Sequence, residues 1–242
     1  MRSLSDRLTE WIADCVSHAG LKGVVFGLSG GVDSAVVAAL CKRALGEHAL
    51  GVIMPCDSSE SDESDARLVA ETLELETVTV RLDKTFRALM ETLPEAGREV
   101  VANVKPRLRM AVLYYWANLR SAMVIGTGNR SEWLAGYFTK YGDGGADLLP
   151  LAGLYKTEVW ALARELGVPE PVVVKPPSAG LWAGQTDEGE MGLSYEVLDN
   201  VFRALEAGKV GSLDTRLVQK VGEMKSRSHH KRVLPQIFEV LR

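Results

Sequence analysis

The stretch Ser29-Gly30-Gly31-Val32-Asp33-Ser34 constrains this chain more than any other. An apolar run, Val24-Val25-Phe26-Gly27-Leu28, leads into it, and a helix-forming run, Ala35-Val36-Val37-Ala38-Ala39-Leu40, leads out. That order predicts a strand, a tight glycine turn and a helix. Such a turn leaves backbone N–H groups at the positive end of a helix, where phosphate oxygens are favoured. The glycines permit positive φ and let an anion approach the backbone closely. Ser29 and Ser34 add hydroxyl donors. Asp33 is the odd member, because a carboxylate beside phosphates repels them unless a divalent cation sits between. The pattern is not a Walker A loop, since no lysine follows the glycines at the required spacing.

The rest of the chain repeats the same alternation. Leu4, Leu8, Trp11, Ile12, Cys15 and Val16 recur at helical spacing and predict an amphipathic helix over 4–18. Strands are predicted at 24–28, 50–54, 77–82 and 122–126, with helices at 34–45, from Ser61 to Leu75, at 84–93, 110–120, 129–136 and 156–166. Strands alternating with helices at roughly 30-residue spacing are the rhythm of a parallel sheet with crossover helices. The expected fold is therefore α/β: a doubly wound, mostly parallel sheet flanked by helices, followed by a helical C-terminal segment. The phosphate turn then lies at the C-terminal end of the first strand, where ligands sit in open α/β sheets. Residues 176–192 read as a long loop of the kind that forms lids.

Composition narrows the function. The net charge of −4 argues against a broad nucleic-acid surface. The three cysteines, Cys15, Cys41 and Cys56, match no paired or zinc-binding spacing and read as reduced thiols. No apolar run approaches the roughly 18 residues needed to cross a membrane, and the first residues lack a signal-peptide core. A cytoplasmic location with no membrane contact is expected.

A second glycine turn, Gly126-Thr127-Gly128-Asn129-Arg130-Ser131-Glu132, closes the fourth strand. If that strand neighbours the first, Glu132 and Asp33 face one space, and two carboxylates near a polyphosphate suggest a Mg²⁺ site. The plainer reading of Glu132 is an acid favouring a helix N-terminus. Residues 136–147 mix aromatics, Lys140, Asp143, Asp147 and four glycines, which is too polar for core and suits a flat base and its sugar hydroxyls. Lys156 opens the next helix and could reach a phosphate as a mobile point charge.

Together these segments, with Asn103-Val104-Lys105-Pro106-Arg107-Leu108-Arg109-Met110 and Ser228-His229-His230-Lys231-Arg232-Val233-Leu234-Pro235, resemble the ammonia-dependent NAD⁺ synthetases, a branch of the N-type ATP pyrophosphatases whose fold is adenine nucleotide alpha hydrolase-like. The resemblance runs from about Leu21 to Pro235. It implies ATP-dependent amidation of deamido-NAD⁺ by ammonia, with Mg²⁺, through an NAD-adenylate. It also implies that Gly27, Leu28, Ser29, Gly30, Gly31, Val32, Asp33 and Ser34 hold the ATP phosphates, that Asp33 and Glu132 bind Mg²⁺, and that Thr127, Lys156 and Ser178 contact ATP. Ser178 stands where relatives often have threonine, which keeps the hydroxyl. Arg107, Lys140, Asp147, His230 and Lys231 would contact deamido-NAD⁺, and Asp143 would lie at the ammonia pocket. The catalytic set is thus Asp33, Glu132, Asp143 and Lys156. A homodimer is implied, with helix 110–120 the best candidate for its interface. The synthetase motifs fill the chain, so a single domain over 1–242 is expected, with no glutaminase domain and with nitrogen from free ammonia or a separate supplying protein. Two other readings use parts of the same pattern. tRNA thiolation would want reactive cysteines and a basic surface, and a nucleotide-binding sensor module would need neither the second carboxylate nor the 136–147 cluster.

Overall fold

The computed structural model describes residues 2–182 and 184–238. Four strands form one sheet: β1 (Gly23–Gly27), β2 (Ala49–Ile53), β3 (Glu76–Thr79) and β4 (Ala122–Ile125). Their order is β3-β2-β1-β4 and every pairing is parallel. β1 is therefore central, and the order reverses beside it, so that β4 is its neighbour. Val24 pairs with Ala49 on one side and with Met123 on the other. Parallel strands need long crossovers, and helices supply them.

Helices cover both faces. α1 (Leu4–His18), α2 (Val32–Leu45), α3 (Glu60–Thr72), α8 (Lys156–Glu165) and α9 (Glu170–Val173) pack with Val24, Phe26, Ala49 and Ile53 in one core. α4 (Asp83–Met90), α5 (Arg98–Ala102) and α6 (Val104–Arg120) cover Val25, Leu50, Val52 and Val124 on the other face. Successive β1 side chains thus enter opposite cores, the alternation a pleated strand requires. Burial on both faces explains why β1 and β2 read as continuous apolar runs. A third core joins α7 (Arg130–Ala135), α11 (Tyr195–Ala207) and α12 (Thr215–Arg227), centred on the buried Tyr195, Leu198, Val201, Phe202 and Val221.

The sequence reading differs from the structure in four places. The long helix begins at Val104 rather than Met110. Pro106 hides its start, yet a proline in the first turn removes no intrahelical hydrogen bond. α5 and α9 fall in segments that carry no periodic signal, each only five or four residues long. The third strand ends at Thr79 rather than Leu82; Val80 and Leu82 still donate to Ile53 and Pro55 carbonyls at 2.8 Å. The 176–192 loop contains α10 (Asp187–Met191), and Ala183 within it lies outside the described residues.

Candidate active site

A cavity of about 620 Å³ opens at the C-terminal edge of the sheet. The ends of β1, β2 and β4, the start of α2, the 136–145 loop and the 175–190 segment line it. Gly31 caps α2 with no side-chain hydrogen bond to its first amides. By contrast α1, α3, α7, α10, α11 and α12 all carry side-chain caps. An uncapped helix N-terminus in a cavity wall presents free donors and a positive dipole end. The serines shape the turn: Ser34 Oγ donates to the Gly31 carbonyl at 2.8 Å, and Ser29 N donates to Ser34 Oγ at 3.2 Å. The Ser29 amide expected for phosphate is therefore already engaged. Gly30 adopts φ +81°, and a Cβ there would meet the Asp62 carbonyl at 2.3 Å, so only glycine fits between the turn and α3.

Asp33, Glu132 and Lys156 meet at the next layer. Lys156, 1 % exposed, places its ammonium on Asp33 Oδ2 and 3.6 Å from Glu132 Oε1. The second oxygen of Asp33 accepts from Asn129 Nδ2 at 2.9 Å. Asn129 and Glu132 also form a reciprocal capping box on α7, with bonds of 3.0 and 3.1 Å. So both readings of Glu132 hold together: one oxygen caps the helix, and the other faces Lys156. α8 is aimed by Asp199, fully buried, which accepts from Ser131 Oγ and from Thr157 N. Ser131 Oγ in turn accepts from Lys156 N at 2.9 Å.

Burial together with the Asp33 charge pushes the Glu132 carboxyl up to about 8 against the pull of Lys156. Burial opposes the Lys156 charge, but Asp33 and Glu132 outweigh it and raise that ammonium's pKa. Desolvation inside the cavity also raises Asp143, a residue whose surface stays open there and whose carboxylate accepts from Thr139 N at 2.9 Å. Thr127 and Ser178 line the same cavity, and Ser178 Oγ accepts from Gly180 N.

The segment over the cavity is held at several points. Lys175 pairs with Asp62 and Asp65 on α3. Lys105 donates to the Leu181 carbonyl at 2.9 Å, and the Arg98 guanidinium lies 4.6 Å from the centre of the Trp182 ring. Asp62 and Asp65 therefore clasp this segment to α3.

The residues expected at the dinucleotide divide into two groups. Arg107 donates to the Lys140 carbonyl at 3.3 Å, Lys140 to the His230 carbonyl at 2.6 Å, and Lys231 to the Gly136 and Phe138 carbonyls at 2.8 Å. These four form a basic rim, of which Lys231 reaches the cavity wall. Gly136 makes the rim possible: at φ +74° it lets Ser228 approach to where a Cβ would clash at 2.0 Å. Asp147 is not with them. Its carboxylate accepts from Val124 N at 2.8 Å and from Tyr114 Oη at 3.0 Å, beside a separate depression lined by Leu21, Tyr114, Asn118 and Met123.

Sequence reasoning gave no role to Asn129, Asp187, Tyr195 or Arg109. Asn129 and Asp187 are buried polar residues that line or touch the Asp33 cluster. Tyr195 Oη donates to Asp187 Oδ2 at 2.8 Å and lies 3.4 Å from Glu132 Oε1. Arg109 bonds the Met54 carbonyl and Ser58 on the cavity's far wall. Only the polar capping signature at Asn129–Glu132 was available in the sequence.

Two oxygen-donor side chains sharing one cation suit Mg²⁺, which takes one or two carboxylates and fills its remaining positions with water and substrate phosphate. Among the described residues no group of three or more His, Cys, Asp and Glu forms a ready-made metal cage, which fits that habit.

Comparison with known proteins gives a consistent result. The family model described as NAD synthase matches residues 4–235. An NH3-dependent NAD⁺ synthetase of Carboxydothermus hydrogenoformans is 48% identical over 238 residues, covering 96% of each chain. Among solved structures, the NMN synthetase of Francisella tularensis superposes with a TM-score of 0.90 at 38% identity, covering 98% of both chains. The NH3-dependent NAD synthetase of Campylobacter jejuni, in complex with nitrate, gives 0.86 at 32% identity over the same shares.

Proposed function

The chain belongs to the NAD synthase family, and on that premise we propose that its cavity forms NAD⁺ from deamido-NAD⁺, ATP and ammonia, with the residue roles that follow. A carboxylate is a poor electrophile, so the pyridine carboxylate must first be joined to a good leaving group. Its oxygen attacks the α-phosphate of ATP, pyrophosphate departs, and ammonia then displaces AMP from the acyl-adenylate. The proton lost by the attacking amine goes to Asp143, whose raised pKa makes it the better acceptor.

The α2 N-terminus and the Gly27–Ser34 turn bind the β and γ phosphates. Lys156, with Thr127 and Ser178, holds the triphosphate from the opposite wall. Asp33 and Glu132 would hold Mg²⁺, which supplies neutralisation of the charge that builds on pyrophosphate. Among the described residues no cavity side chain is assigned a covalent role, so catalysis rests on positioning and electrostatic stabilisation. The observation that carries this reading is the convergence of an uncapped helix N-terminus with Asp33, Glu132 and Lys156 in one cavity.

The split of the dinucleotide residues supports a homodimer. Asp147 lies away from the basic rim, while α6 leaves Tyr115 and Leu119 65% and 63% exposed. A twofold partner docked on α6 would add a second copy's surface to the depression at Asp147. A cytoplasmic site of action follows the substrates, and no described helix is long and apolar enough to cross a membrane.

The test is a coupled assay with purified protein, ATP, Mg²⁺, deamido-NAD⁺ and ammonium. Equal amounts of NAD⁺, AMP and pyrophosphate are expected. Release of ADP and phosphate, or NAD⁺ formation without pyrophosphate, rejects the scheme. The NH3-dependent NAD⁺ synthetase of Carboxydothermus hydrogenoformans at 48% identity favours the dinucleotide, while the NMN synthetase at 38% stands above the NAD synthetase of Campylobacter jejuni at 32%, so nicotinate mononucleotide belongs in the same assay and should be the poorer substrate.

A further inference from the structure

Asp187 is a buried carboxylate for which the scheme above has no use. It is 4% exposed and opens α10 on the segment that covers the cavity. Its backbone N–H donates to the Pro177 carbonyl at 3.0 Å, tying it to the lid's other end. Its Oδ2 accepts from Tyr195 Oη at 2.8 Å. Its Oδ1 is buried and has no hydrogen-bond partner among the described residues, because the neighbouring Tyr137 hydroxyl donates to Glu190 instead. A buried carboxylate oxygen without a donor is costly to keep and points to a partner that arrives.

A candidate is already in the cluster. Burial raises the Asp187 carboxyl's pKa, and the Lys156 charge opposes that rise. The Lys156 ammonium lies 5.1 Å from the centre of the Tyr195 ring, the same ring whose hydroxyl holds Asp187. Here that ammonium is engaged by Asp33 and Glu132. A divalent cation on those two carboxylates would repel it. The ammonium would then need a new counter-charge in a region where an unpaired buried cation is unfavourable.

We propose that Asp187 is a positioning residue that provides a second seat for Lys156: when a divalent cation takes Asp33 and Glu132, the ammonium moves to Asp187 Oδ1 and directs its remaining N–H bonds at the triphosphate. The inference rests on the reading of Asp33 and Glu132 as the cation's ligands. No bond between heavy atoms is made or broken in the exchange; the ammonium leaves Asp33 and Glu132 for Asp187, and the divalent cation replaces it.

Two measurements decide the matter. The first needs no variant: a crystal structure of the protein with Mg²⁺ and a non-hydrolysable ATP analogue. Lys156 Nζ should sit within hydrogen-bond distance of Asp187 Oδ1 and off Asp33; Nζ still on Asp33 overturns the inference. The second is a double-mutant cycle of Mn²⁺ affinity, followed by electron paramagnetic resonance with the same analogue bound. Asp187→Asn keeps an acceptor for Tyr195 and should weaken Mn²⁺ about tenfold. In a Lys156→Met background, where no ammonium needs a seat, the same substitution should change nothing. Equal weakening in both backgrounds would make Asp187 a direct ligand and overturn the proposal, as would no weakening in either. Asp33→Asn separates the two levels. If it leaves Mn²⁺ affinity intact, the cation reading fails and the exchange with it; if it abolishes binding while Asp187→Asn is silent, only the exchange fails.

Discussion

Lys156 is 1% exposed and its ammonium is held by Asp33 beside Glu132, whereas Arg107 and His230 are exposed and the Lys140 ammonium rests on a backbone carbonyl. The two ends of the cavity are thus built on different principles. At the nucleotide end, Asp33, Asn129, Glu132, Lys156 and Asp199 fix one another through caps and buried ion pairs, and one chain supplies them all. At the dinucleotide end, basic side chains lean on carbonyls of the 136–140 loop and of the turn at His230, and the remaining acid, Asp147, lies elsewhere. The first end is preorganised for charge that develops in a reaction. The second is an exposed rim which, on the proposed assignment, would grip a long substrate and be completed by the partner of the proposed homodimer.

The largest expected contrast is between single substitutions at the two ends. Asp33→Asn should lower the rate of pyrophosphate release by about 10²–10³-fold, the scale for losing one electrostatic group from a preorganised site. The fold should survive, because Asn matches Asp in size and keeps one acceptor oxygen for Lys156, giving up only the bond from Asn129. A normal turnover number would remove Asp33 from the chemistry. Lys140→Ala should instead raise KM for deamido-NAD⁺ about tenfold, the scale of a lost charged hydrogen bond, and leave KM for ATP within about twofold. The reverse pattern would place Lys140 at the nucleotide end and dissolve the distinction.

The same contrast explains what could be read from the residues alone. The glycine turn, the order of strands and helices, and the approach of Glu132 to Asp33 are local or follow from parallel β4 lying beside β1. Those features leave marks in periodicity and capping signatures. Asp187 and Tyr195 join the cluster from 55 and 63 positions beyond Glu132, and no local pattern announces such a meeting. Asp147 misled for a related reason. Its neighbour in sequence Asp143 does face the cavity and Lys140 joins the basic rim, but its own carboxylate turns back to Val124 N, which the extended 147–148 segment reaches by running alongside β4. Pro106 hid six residues of α6 because a proline is compatible with a helix only where no donor is needed.

Proton linkage offers a further way to break the comparison. Desolvation raises the carboxyl pKa of Glu132, Asp143 and Asp187, all in the cavity. On the surface, Glu63 and Glu76 are lowered, chiefly by hydrogen bonds from Arg67 and Arg120. A carboxyl raised on folding takes up a proton, so stability falls as pH climbs from its unfolded value near 4.5 to its folded value, about 8 for Glu132. A lowered carboxyl acts in the other direction, and its contribution is complete above the unfolded value and lost only as pH drops through the folded one. Between pH 5 and about 8 the surface groups are therefore silent and the cavity groups set the slope. The melting temperature in chelator should fall across that window, and Glu132→Gln should flatten the fall. A slope unchanged by the substitution would show that Glu132 is ionised throughout.

The smallest effect tests the weakest joint in the division, the detached Asp147. Tyr114 lies on α6 and donates to Asp147 Oδ1, and burial with the Asp147 charge holds its phenol at about 12, so it remains a donor at any working pH. Removing that hydroxyl in Tyr114→Phe should cost about 1 kcal/mol, or roughly 2–4 °C in melting temperature for a chain of this size. Its kinetic sign is the informative part. Val124 N still holds Oδ2, so the carboxylate keeps its place while Oδ1 is released. If a sugar hydroxyl of the substrate competes with Tyr114 for that oxygen, KM for deamido-NAD⁺ should fall, by about twofold for one neutral hydrogen bond exchanged. A rise would mean that Tyr114 aims Asp147 at the substrate, and no change would assign the carboxylate to pinning the 147–148 segment against β4 alone. In that last case the dinucleotide end would consist of the basic rim, and the case for a second copy completing it would rest on the exposed face of α6.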